Sequence, residues 1–281
     1  MTKITTLFFT LMIALSALGQ SQKLKGSRNV TTDRREIGNF VNIEVEDNVE
    51  VFLVKGDQCG VDIEADDNLH QAISISLNGE TLRISASADV TSSKKFSVKI
   101  THNANLAMLI AKDDANITSL TDMNLADFTI KTSGSARIYA TVKAKTFTLM
   151  ANDKSRIEMN LNADNATVEL SKNTQMKALV SSPKLKFDMY QKALATIEGD
   201  VLDLKLRLSN NTNFTGKNLT VKNAEMITED SVNCSLAVTG NATIDASGKS
   251  EIELHGEQTK IEIRKFTGNS SIRKRASKVV N

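Results

Sequence analysis

Phe128-Thr-Ile-Lys-Thr132 returns 19 residues later as Phe147-Thr-Leu-Met-Ala151, and the phrase keeps returning. The later copies are Ala166-Thr-Val-Glu-Leu170, Leu185-Lys-Phe-Asp-Met189, Leu204-Lys-Leu-Arg-Leu208, Ala224-Glu-Met-Ile-Thr228 and Ala242-Thr-Ile-Asp-Ala246. The steps between first residues are 19, 19, 19, 19, 20 and 18. A second phrase follows each copy at fixed distance, anchored by Ile138, Ile157, Met176, Ala195, Phe214, Cys234 and Ile252. A fixed period of this size marks a solenoid, in which one repeat buries its apolar face only by stacking on its neighbours.

The phrases are short, Thr-rich and alternate apolar with polar residues, which is the period of a strand rather than of a helix. The Leu and Asn offsets of a leucine-rich repeat are missing. The expected fold is therefore all-β, a single-stranded parallel β-helix, right-handed by expectation, with coils of about 19 residues. Its first inward column reads Phe128, Phe147, Ala166, Leu185, Leu204, Ala224, Ala242, and its second Ile130, Leu149, Val168, Phe187, Leu206, Met226, Ile244. A weaker first copy begins at Ala107 with Ile117 as anchor, and a frayed last copy begins at Ile261 with Ile272 as anchor. Nine coils at ~4.8 Å per rung would build a rod on the order of 40 Å long. Asn152-Asp153, Lys172-Asn173, Asn210-Asn211 and Gly248 mark the turns, because these residues tolerate tight backbone geometry.

Outward from the repeats, residues 26–103 read as a less regular opening part. Strands are expected around Ile43–Val45, Val49–Leu53, Val61–Ala65, Ile73–Leu77, Leu82–Ala86 and Phe96–Ile100. Asn78-Gly79 between alternating runs signals a hairpin, and Asp66 to His70 a short helical turn. Ser21 to Lys25 and the segment after Arg273 are expected to be loose, the latter a basic tail over 273–281. At the amino terminus, Lys3, the apolar run Leu7–Leu18 and the small residues Ala17 and Gly19 form a secretory signal over 1–19, with Gln20 as the new end. The mature chain, 20–281, then reads as one domain without a membrane-spanning segment, placed in the periplasm, at the cell surface or outside the cell.

Composition narrows the functions. Net charge is +2 and aromatics are only 4%, so the basic stripe with interleaved aromatics of a nucleic-acid binder is missing. His70, His102 and His255 are isolated and no zinc spacing occurs. Asp66-Asp67 and Asp113-Asp114 lack the spaced oxygen ligands of a calcium loop and read as turn acids. No phosphate loop or nucleophile elbow is present, and no cofactor or metal is expected. Cys59 and Cys234 are too few for a disulfide framework, and no bridge between them is expected.

Two sets of residues remain as candidates. Glu169 and Asp188 occupy one outward column on adjacent rungs, roughly 5 Å apart, near the carboxyl separation of a retaining glycosidase, and Arg207 follows on the next rung. Against this catalytic alternative stands a surface ladder in which Arg207 offsets the two carboxylates. Tyr139 and Tyr190, on outward registers, are the ring-stacking candidates for a glycan ligand.

Gly26-Ser-Arg-Asn-Val30, Phe40-Val-Asn-Ile-Glu-Val45 and Ala65-Asp-Asp-Asn-Leu69, in this order and spacing, resemble a family of exported bacterial proteins, the putative auto-transporter adhesin, head GIN domain family. Arg28 stands where that family usually has Gly and reads as a neutral departure. The resemblance covers essentially the whole mature chain. It implies a β-helix-like fold, a surface or periplasmic location and an adhesion role toward a cell-surface glycan or envelope protein, and it brings no catalytic residues. The functional expectation is a non-catalytic interaction protein. The alternatives are a polysaccharide-active enzyme using Glu169 and Asp188, or a purely structural envelope protein, and the open sheet ends of a solenoid also allow a homo-oligomer.

Overall fold

The computed structural model describes residues 23–275; the secretory signal over 1–19 lies outside the described residues. The repeats stack as parallel rungs, a β-solenoid of about 9 turns with about 19 residues each. Phe128 pairs with Phe147, Phe147 with Ala166, Ala166 with Leu185, and so on through Ala242 to Ile261. Strands such as Arg137–Ala151, Arg156–Leu170 and Gln175–Met189 each carry the second phrase of one coil and run on into the first phrase of the next.

Every residue of the two inward columns and of the anchor column is buried, none more than 4% exposed. With few rings available, the core is filled mainly by thin layers of Ile, Leu, Val and Met. Phe187 and Phe214 meet edge to face at 5.3 Å, and Phe128 and Phe147 are tilted at 6.3 Å, pairs that add to their area burial. Cys234 lies inside as a small apolar residue, its thiol pushed up to about 12 by burial; Cys59 is half-buried and both are free.

Between the first and second phrases the chain must turn sharply, and one or two residues per coil take positive φ there. The column reads Asp113, Gly134, Asp153, Lys172, Lys192, Asn211, Asp230, Gly248 and Gly268, with φ between 54° and 76°. Gly, Asn and Asp suit this region and Lys does not, so Lys172 and Lys192 are held by the stack. The turn is closed from inside by hydroxyls three residues on: Ser155 Oγ donates to the Asn152 carbonyl at 2.6 Å and Thr174 Oγ1 to that of Ser171 at 2.7 Å.

The opening third is more regular than its sequence suggests, because it stacks out of chain order. Asn42–Val45 and Glu50–Lys55 lie directly beneath Met108–Ala111 and Asn116–Ser119 in parallel register. Thr81–Ala86 and Phe96–His102 then add a layer on their far side. Asn42–Val45 and Glu50–Lys55 thus lie inside the stack, and the chain caps them before it returns past them. Glu44, almost fully buried, is held by Lys112 and by Arg83 at 2.9 Å, joining all three layers. The Asn78-Gly79 hairpin forms between Ile73–Asn78 and Thr81–Ala86, and Asp67–Ala72 is a short 3-10 turn.

The amino-terminal segment expected to be loose is ordered by pairing, and the polar stretch after it forms a strand. Lys23–Lys25 runs parallel to Asp89–Ser92, and Val30–Arg35 runs antiparallel to Gly60–Asp66. At the other end, Ser271–Lys274 pairs with Glu251–Leu254 and Arg275 binds Glu253, so the basic segment begins as a strand with an ion pair. The last copy pairs in register through Ile263 and shifts by one residue before Lys265, and Ile261, Ile263 and Phe266 are 41%, 51% and 49% exposed, since no rung covers them among the described residues.

The Gly26–Asn29 loop is latched onto the Asp66–Asn68 segment. Asp66, fully buried, accepts from the backbone N–H groups of Arg28 at 2.9 Å and Lys95 at 3.0 Å. Asp67 accepts from the Ser27 hydroxyl and the Asn29 amide, and Asn68 spans from the Ser27 N–H to the Lys25 carbonyl. A Cβ at Gly26 would come within 2.0 Å of Asp66 Oδ2, which explains glycine there. Arg28 has φ 69°, so the departure from Gly is not neutral: a side chain in this region costs on the order of 1–2 kcal/mol.

Burial pushes the Asp66 carboxyl up, but the three N–H groups of Arg28, Lys94 and Lys95 outweigh it and hold the group below its ordinary value. The Ser27 hydroxyl and then the Asn29 amide lower Asp67. Folded values below the unfolded value near ~3.9 mean stability that is complete above that pH and lost as pH falls through the folded values. Asp66→Asn is expected to lower stability at pH 7 and, in denaturant titrations, to flatten the fall below about pH 4 that is expected of the parent. Arg28→Gly is expected to hold or raise stability, by up to about 1 kcal/mol. Phe187→Ala is expected to lower it by about 3–5 kcal/mol, against less than about 0.5 kcal/mol for the exposed Thr196→Ala, both read from urea midpoints.

Candidate functional site

The outer face of the second phrase is not flat. Two outward rows run along the rod in register, Tyr139–Glu158–Lys177–Thr196 and Thr141–Asn160–Leu179–Glu198. They bound a concave trough of about 510 Å³, with Ala140, Met159 and Ala178 between them. Each row takes one residue per coil, so successive groups sit about 4.8 Å apart. Tyr139 is 38% and Leu179 53% exposed, giving the trough apolar surface at two points along its length. Around them stand carboxylates, an amide and an ammonium group. Glu198 is oriented by the Asn218 amide at 3.1 Å, and the Thr141 N–H is held by the Ser119 hydroxyl at 3.1 Å.

An exposed ring and a branched alkyl group inside a polar concavity can stack on an extended ligand with both apolar faces and hydroxyls, which is the chemistry of a sugar chain. Tyr139 is visible in the sequence as a candidate. The sequence reading did not reach its neighbours Glu158, Lys177, Asn160 and Glu198, although they stand one to three periods along the outward columns of Tyr139 and Thr141.

Tyr190 does not join this site. It follows Met189 at the sharp turn, partly buried, with its N–H on the Leu170 carbonyl at 2.9 Å. Burial and the nearby Asp188 raise its phenol above the ordinary value. Tyr190 therefore stands beside the other candidate set instead.

Glu169, Asp188 and Arg207 are register partners on consecutive rungs. Their surroundings differ from the expected ladder. Asp188 is only 7% exposed and accepts from Lys186 at 2.8 Å, while Arg207 turns to Glu229 at 3.3 Å. Arg207 thus offsets Glu229, and Lys186 offsets Asp188. The hydrogen bond that it donates to Asp188 raises Lys186 above its ordinary value. Among the described residues there is no group of three or more His, Cys, Asp or Glu arranged to hold a metal ion, and no helix is long and apolar enough to cross a membrane.

Comparison with known proteins agrees with this architecture. The family model described as putative auto-transporter adhesin, head GIN domain, matches twice, over residues 39–179 and 149–257. The chain belongs to this family. Two solved structures from Parabacteroides distasonis ATCC 8503 are similar across 90% of this chain and 100% of their own, each with a TM-score of 0.64. One is described as a putative lipid binding protein, at 15% identity, and the other as a putative adhesin, at 19%. A putative adhesin from Parabacteroides merdae ATCC 43184 matches over 91% of this chain and 100% of its own at TM-score 0.56 and 16% identity. At such identities the likeness is one of fold. No curated protein matches the chain.

Proposed function

We propose that this chain is an exported, non-catalytic adhesin of the cell envelope, acting as one domain, which binds a glycan chain along the Tyr139 trough. The observation that carries the reading is the trough itself: an exposed ring and Leu179 flanked by Glu158, Asn160, Lys177 and Glu198 on consecutive rungs. Family membership supports an adhesin-like role. The signal over 1–19 supports export, to the periplasm or the outer surface, with Gln20 as the first mature residue. The distribution of charge partners supports a role without turnover. Asp188 is withdrawn from solvent into a bond with Lys186, and its neighbour Glu169 has no cleft around it among the concavities described above.

The test places the mature protein on a panel of neutral bacterial and host polysaccharides and records both retention and release of new reducing ends. Retention without release is expected. Tyr139→Ala is expected to weaken it about tenfold or more, a loss of ~1.4 kcal/mol, and Tyr190→Ala to leave it unchanged. Release that disappears in Glu169→Gln would replace this reading with the enzymatic one. Absence of both signals would leave a structural envelope role.

A further inference from the structure

A second trough runs along the outer face of the first phrase, about 850 Å³ in volume and on a different side of the coil from Tyr139. Its two rows are Asn165–Lys184–Asp203–Asn223–Asn241 and Thr167–Lys186–Lys205–Glu225–Thr243. Lys186 and Lys205 are register partners on adjacent rungs, an arrangement of like charges that destabilises a ladder. Lys184 stands on the same face two residues from Lys186.

The acids of the trough form no ion pair with Lys184 or Lys205. Asp203, the register partner of Lys184, accepts instead from the Asn223 amide at 2.9 Å. Glu225, the register partner of Lys205, is held by Arg264 at 2.9 Å. Lys186 has Asp188 at 2.8 Å. Among the described residues Lys184 and Lys205 are left without an ion pair, exposed, side by side with a third ammonium group, in a concavity whose walls carry side-chain amides. Stability alone would favour pairing these lysines with the acids beside them. The trough lining thus carries Lys184, Lys186, Lys205 and Arg264 against Asp203 and Glu225, an excess of positive charge, with two of its cations free of ion pairs.

We infer that this trough binds an acidic polysaccharide, with Lys184 and Lys205 on its carboxylate or sulfate groups and the Asn amides on its hydroxyls. A polymer fits the trough because its rows run parallel to the rod axis with one position per rung, so that an extended chain can meet Lys184 and Lys205 in succession. The site is separate from the Tyr139 trough, and its test does not depend on that reading.

Polygalacturonate is the probe, and its fully methyl-esterified form, with the same backbone and no charge, is the control. The mature protein is expected to bind polygalacturonate in low-salt buffer, with affinity falling as NaCl rises, and to bind the ester at least tenfold more weakly. Lys184→Ala/Lys205→Ala, both at exposed positions, is expected to lose tenfold or more in affinity with an unchanged melting temperature. Lys143→Ala/Lys145→Ala, which removes equal charge outside the trough, is expected to match the parent. No binding to polygalacturonate, equal binding to the ester, or equal losses in both lysine pairs would overturn the proposal. So would tighter binding to phosphatidylglycerol vesicles than to polygalacturonate through the same two lysines.

Discussion

One rung of this protein cannot hide its apolar face by itself; it is buried only when the next rung lies on it in register. A one-residue slip would turn a whole column outward, so the coil length is held near 19 residues by the requirement that Phe147 cover Phe128 and Ala166 cover Phe147. The turn column answers the same requirement. Each coil must reverse at the same place, and the positive-φ residue there lets it do so in the same number of residues every time. Where the favoured Gly, Asn or Asp is absent, as at Lys172, the pairing on both sides maintains the conformation.

A stack of this kind has two ends, and the chain treats them differently. At the amino-terminal end it folds back on itself, so that a later layer covers an earlier one and Glu44, Lys112 and Arg83 tie three layers together. The Gly26–Asn29 loop is then fixed over this cap by Asp66, Asp67 and Asn68. The two family phrases that stand 40 residues apart in the chain are therefore the two halves of one latch. At the carboxyl-terminal end, Lys260–Phe266 keeps register through Ile263 without a covering rung among the described residues, and its apolar side chains stay exposed.

How legible this was depended on how local the cause is. The inward columns, the anchors and the turn positions follow from periodicity, and all of them fall where the pattern puts them. The layer order of the opening third is different, because strand alternation says that Asn42–Val45 is a strand but not which strand it lies upon. The burial of Asp66 was invisible for the same reason: its donors are backbone groups of Arg28, Lys94 and Lys95, brought near only by the fold. Arg28 shows the limit from the other side. Its conformation is set by a loop whose shape Gly would suit better, and a sequence read without backbone angles has no means of pricing that. The carboxylate column was placed correctly, yet the partner of each charge was not, since Lys186 and Glu229 compete for Asp188 and Arg207 through side-chain reach and not through spacing.

The separation between inner and outer columns bears on function. Because stability resides in residues that point inward, the outward rows can carry almost any side chain at small cost, and each row offers one position per coil in a line parallel to the axis. An extended polymer is the natural match for such lines, since its own repeat can meet a row rung after rung. The outer rows of this chain are not alike: the second-phrase face mixes a ring and an alkyl group with acids and amides, while the first-phrase face brings three lysines together and occupies the nearby acids elsewhere. What distinguishes Lys184 and Lys205 is their place: two unpaired ammonium groups with Lys186 beside them, in one trough lined by side-chain amides. The packing of the core beneath does not require that arrangement, because these side chains point outward.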